Sequence, residues 1–134
     1  MAITSVLEGG SSFQDQLGQG HEIIGSVTTG AGANAVLTCN DRSAVLTRAA
    51  AGNYTITFGD VFLAAPFCNF TPLVATFSTA ALFVVQLVSV TTAAVNFNLV
   101  KQNDTGTAAT TLSALDDGAA GDLVHFQIVG KRNN

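Results

Sequence analysis

Any chemistry in this chain has to start from two histidines, His21 and His125, two cysteines, Cys39 and Cys68, and a scatter of aspartates and glutamates. A metal centre or a general base needs such groups to converge, and local pairs such as H-x-H or H-E-x-x-H announce that convergence. Neither pattern occurs. His21 stands in the opening segment, while His125 alternates with apolar residues in "LVHFQIV", the setting of a structural side chain. The cysteines form no C-x-x-C and read as small buried hydrophobes with free thiols, a disulfide between them being the alternative. "DDGAAGD", from Asp116 to Asp122, gathers oxygen ligands as a calcium loop does. It lacks the D-x-D-x-D-G register and the closing glutamate, and Asp-Gly is ordinary turn chemistry. "TTGAGAN" has neither the glycine spacing nor the lysine of a phosphate loop, and no G-x-S-x-G is present. The expectation is a non-enzyme, with no catalytic, cofactor-binding or metal-ligating residue and no cofactor.

Composition points elsewhere. Charged residues make up 10% of the chain, against roughly 25% in ordinary globular proteins. The hydrophobic share is 48% and the net charge −4, with mean hydropathy +0.42. From Val61 to Val100 there is no charged side chain at all. A transmembrane helix needs about 20 predominantly apolar residues. Here Pro72, Gln86, Asn96 and Asn98 interrupt, and the β-branched and aromatic content suits strands, so no membrane span is expected. The opening residues show neither the basic nor the apolar region of a signal peptide. Basic residues cluster only at Lys131 and Arg132, too few for a nucleic-acid partner. A surface this poor in charge implies cover by neighbouring subunits.

The elements that would position any site are strands, because the hydrophobic period is two. "NYTITF" puts Tyr54, Ile56 and Phe58 on one face; "AVNFNLV" does so for Val95, Phe97 and Leu99, and "LVHFQIV" for Val124, Phe126 and Ile128. "EIIGSVTT", "NAVLTCN", "SAVLTRA", "CNFTPLVATFS" and "ALFVVQLVSVTT" read as further strands separated by Gly- and Asp-containing turns. A helix is plausible only around Thr110 to Leu115, ended by Gly118. The predicted fold is all-β: a single antiparallel β-sandwich or jelly-roll-like domain over residues 22–134, preceded by an extended N-terminal arm over residues 1–21. In that arm Ile3, Val6, Leu7, Phe13 and Leu17 stand as isolated apolar anchors, read as inserting into a partner; a disordered terminus is the alternative. "ALFVVQLVSV" is apolar on both faces, with Phe83, Val85 and Leu87 on one and Val84, Val88 and Val90 on the other. A strand hidden on both sides packs a core with one face and a neighbour with the other, which assigns Val84, Val88 and Val90 to an oligomer interface.

One stretch, "SAVLTRAAAGNYTITFGDVFLAAPFCNFTPL", resembles a pattern found in small β-domains of tailed-bacteriophage virions, through Arg48, Gly52, Tyr54, Ile56, Phe58, Phe62 and Pro66. The resemblance implies a head decoration (cement) protein or a fibre-type domain, often trimeric. The expectation is therefore a non-enzymatic structural protein on the capsid surface, a homotrimer bound to the major capsid protein lattice. A receptor-binding or tip domain of a phage fibre is the alternative, and a small-ligand carrier stands behind both.

Overall fold

Alternation of apolar and polar residues builds nine strands in the computed structural model, which describes residues 20–76, 81–103 and 111–132. They are β1 (Gly20–Val27), β2 (Leu37–Cys39), β3 (Val45–Ala50), β4 (Asn53–Thr57), β5 (Phe67–Leu73), β6 (Ala81–Val90), β7 (Ala94–Asn103), β8 (Thr111–Leu115) and β9 (Leu123–Lys131). Sheet A runs β2-β1-β9-β5 and sheet B runs β3-β4-β7-β6, with β8 also paired to β7. Every pairing is antiparallel. The two sheets form a β-sandwich, as the sequence predicts.

The inward faces are the predicted ones. Ile23, Val27, Val124, Phe126 and Ile128 from sheet A meet Tyr54, Ile56, Val95 and Phe97 from sheet B, all at least nine-tenths buried. Phe70 of β5 joins the layers, its ring centroid 4.7 Å from Phe97 and 5.6 Å from Phe126. Tyr54 stacks on Phe97 at 5.6 Å. Phe58 and Phe62 close one end edge to face at 5.0 Å. Such offset and edge-on aromatic pairs add about 0.5–1.5 kcal/mol each to the area they bury.

Two expectations are corrected. Thr111–Leu115 is a strand, β8, where a helical turn was predicted. β4 covers β7 only from Ala94 to Asn98, so the same edge beyond it has unpaired backbone groups, and β8 takes that edge from Val100 to Asn103. An isolated helix that short is marginal in water, whereas strand pairing satisfies both partners. The N-terminal boundary moves as well: β1 begins at Gly20, and His21 pairs with Gly130 inside sheet A. Ile3, Val6, Leu7, Phe13 and Leu17 lie outside the described residues.

Gly52 occupies the β3–β4 turn with φ +69°, the left-handed region that favours glycine. A Cβ there would come within 2.5 Å of the Asp116 nitrogen and 2.7 Å of the Leu99 carbonyl oxygen. Gly52→Ala is expected to destabilise the fold by roughly 2–3 kcal/mol from combined backbone strain and steric conflict, read as a drop in the urea midpoint with an unchanged slope.

Candidate interaction surfaces

Asp117 is the hub of a dense polar cluster. Its carboxylate accepts hydrogen bonds from Arg48 on β3 (Nη2 at 2.6 Å, Nε at 3.2 Å), from the Gly52 N–H at 2.8 Å, and from the Tyr54 hydroxyl on β4. Tyr54 and Arg48 face each other across the β3–β4 ladder, so local pairing alone brings two of the three donors together. Burial by itself would push the Asp117 carboxyl up; the hydrogen bonds from Arg48, Gly52 and Tyr54 together outweigh it and hold the carboxyl below its ordinary value of 3.8. Burial, reinforced by the Asp117 charge, pushes the Tyr54 phenol well above its usual range. A phenol that stays protonated and a carboxylate that stays ionised make a fixed donor–acceptor pair, not a proton shuttle. The cluster ties the loop after β8 to the β3–β4 hairpin.

Three other aspartates, Asp122, Asp116 and Asp41, do similar work. Asp122, buried, accepts from the Ala75 and Ala119 N–H groups at 2.8 Å each. Asp116 accepts from the Gly118 N–H at 2.7 Å. Asp41 accepts from Ser43 and Gly59, joining the β2–β3 turn to the loop after β4. The "DDGAAGD" segment thus spends its carboxylates on backbone amides and on Arg48. A hollow of about 280 Å³ beside it includes Lys101, Asp116 and Asp122 in its lining.

The histidines do not converge. His21 lies against Arg132, Nδ1 to Nη2 2.8 Å, so its Nδ1 accepts from the guanidinium; its ring packs 5.7 Å from Phe62. His125 projects from the middle of β9 opposite Ser26 and Thr71, on the outer face of sheet A. Cys39 and Cys68 occur as free thiols on β2 and β5, the two edge strands of that sheet. Three inter-strand spacings of about 4.8 Å separate those edges, far beyond the reach of a disulfide. Burial pushes the Cys68 thiol up to about 11.

What the sandwich does expose is apolar. β6 is an edge strand of sheet B, and Leu82, Val84, Leu87 and Val88 stand 41–54% exposed along it. The three valines assigned to one face from sequence do not stay together. Leu87 pairs with Phe97 and Ser89 with Asn96, which leaves Val88 as a bulged residue and reverses the alternation beyond it. Val90 therefore turns inward and packs on the core beside Val85, while Val84 and Val88 remain outside. No protein-family model, curated protein or solved structure matches this chain.

Against this geometry, the residues between Arg48 and Pro66 that carry the sequence resemblance have structural roles. Arg48 holds Asp117, Gly52 makes the turn, Tyr54, Ile56, Phe58 and Phe62 fill the core, and Pro66 is buried. Asp117 itself was missed as their partner, because it lies 69 residues from Arg48 and its Asp-Gly dipeptide looks like any turn. Since its folded carboxyl titrates below the unfolded one, its contribution is fully present above the unfolded value of 3.8 and is lost as pH falls through the lower folded value. Asp117→Asn should lower stability by about 1–2 kcal/mol at pH 7 and should flatten the stability loss below pH 3.8, measured by urea unfolding across pH.

Proposed function

We propose that the chain is a non-enzymatic virion structural protein, a capsid decoration (cement) subunit that binds the major capsid protein lattice on the capsid surface as a homotrimer. The observation that carries this reading is the placement of the charge-free stretch from Val61 to Val100. It supplies β5, β6 and most of β7, and it leaves Leu82, Val84, Leu87 and Val88 bare on an edge strand without one charged side chain. Natural edge strands are guarded by charges, prolines, bulges or cover, since an apolar open edge recruits other chains; the bulge at Val88 interrupts β6 near one end, and from Ala81 to Leu87 its pairing is regular. Here cover by a second copy is the device that fits. Burying apolar area returns about 25 cal/mol per Å², so a repeated contact along β6 holds subunits together without salt bridges.

Cementing follows from the same physics. A symmetric oligomer seated where coat subunits meet makes their separation expose its own interfaces too, and several weak contacts act together. The apolar residues Ile3, Val6, Leu7, Phe13 and Leu17 are the proposed capsid contacts. A receptor-binding or tip domain of a phage fibre is the second reading, favoured by Phe67, which is 70% exposed on the outer face of β5.

The test is mass in solution. Light scattering on the full chain should give a trimer. Val84→Glu combined with Val88→Glu should give a folded monomer, because like charges meet in an apolar contact. A version lacking residues 1–19 should stay trimeric and lose co-sedimentation with phage capsids. A full chain that is monomeric at micromolar concentration and ignores capsids overturns the reading.

A further inference from the structure

The outer face of sheet A differs in chemistry from the β6 edge. Register aligns one row of side chains straight across its four strands: Thr38, Ser26, His125 and Thr71. The next row is Ile24, Gln127 and Asn69, and on the other side Leu123 pairs with Leu73. The Thr38–Thr71 row is made of short hydroxyl side chains apart from the imidazole, and longer side chains flank it. The row therefore forms a shallow trough across the strands, interrupted by the exposed His125 side chain. Two separate hollows lie on either side of His125, about 470 Å³ toward β2 and about 180 Å³ toward β5, and His125 and Phe126 line both.

No side chain in these rows carries a formal charge with histidine neutral. One carboxylate beside the second row, Glu22, accepts a hydrogen bond from Gln127 at 2.6 Å, and Lys131 lies at the far end of β9. Within the described residues, the hydroxyls of Thr38, Ser26 and Thr71, the Asn69 amide and the His125 ring are not engaged with another side chain. Hydroxyls and amides both donate and accept, and a neutral imidazole does each through a different nitrogen.

From this arrangement we infer that the trough is a binding site for a neutral glycan. Polyanions need lysine or arginine, which the trough lacks. A peptide strand joins a sheet at its edge and not across its face. A hydroxyl-rich chain fits, because each sugar hydroxyl also donates and accepts. Strands about 4.8 Å apart offer a hydrogen-bonding group at nearly every sugar ring, and four strands span about 14 Å, room for two to three rings. Ile24 and Leu73, both about half exposed, supply apolar contact for the ring faces. The site shares no residue with the β6 contact and does not rest on the decoration reading.

The full chain is titrated with short neutral oligosaccharides of glucose, galactose, mannose and N-acetylglucosamine, and backbone amide shifts are followed by NMR. Saturable shifts centred on Ser26, Thr38, Thr71 and His125 are expected, with an affinity of about 0.1–1 mM. His125→Ala combined with Thr71→Val, both exposed, should keep the melting temperature and weaken binding at least about tenfold. Val84→Glu with Val88→Glu should bind the sugar unchanged, so failure here and failure of the oligomer are read separately. The inference is overturned if no sugar gives saturable shifts, if the trough variant binds as well as the parent, or if a sulfated glycan binds more tightly than its neutral form. It is equally overturned if the trough amides shift with protein concentration alone, which assigns the face to a second copy.

Discussion

Tyr54 is where the two halves of the stabilisation meet. Its ring stacks on Phe97 inside the sandwich, and its hydroxyl reaches the Asp117 carboxylate at the margin of the core. A buried phenol needs an acceptor, at a cost of about 1–3 kcal/mol if it has none; the Thr29 carbonyl at 3.2 Å is one, and the loop after β8 brings the nearer and charged one, Asp117. That loop is held in turn by Arg48, by the Gly52 N–H and by the amides that Asp122 collects. In a chain with few charges, one ionised aspartate thus secures a hairpin, a turn and a long connection together.

Between β4 and β7 and in the β6–β7 turn, polarity is handled with uncharged groups. The Asn96 amide nitrogen donates to Asn53, to the Tyr54 carbonyl and to Thr55 across the β4–β7 pair. Thr91 closes the β6–β7 turn through its own hydroxyl. Ladders of this kind satisfy backbone and side chain without the desolvation cost of buried ions. They also leave β6 without a charged side chain, its exposed residues being mainly aliphatic.

The two outer faces of the sandwich offer different chemistry. Along β6 the exposed side chains are aliphatic, and area burial favours a protein neighbour. Across sheet A the hydroxyl and imidazole row offers directional hydrogen bonds, with the exposed Ile24, Leu73 and Phe67 on the same face.

Period two, strand-forming residue types and the absence of charge were enough, in the sequence alone, to establish an all-β sandwich and the inward residues Tyr54, Ile56, Phe97, Phe126 and Ile128. Those are local properties, because burial alternates wherever a strand has one dry face. The β-bulge at Val88 was not legible, since it depends on how β6 matches β7, and it moved Val90 from the expected outer face to the core. β8 became a strand because β7 had an edge that β4 left open. The Asp117 cluster and the Thr38–Ser26–His125–Thr71 row join residues far apart in the chain. Only the order of strands in each sheet brings them together, and strand order is set by non-local pairing.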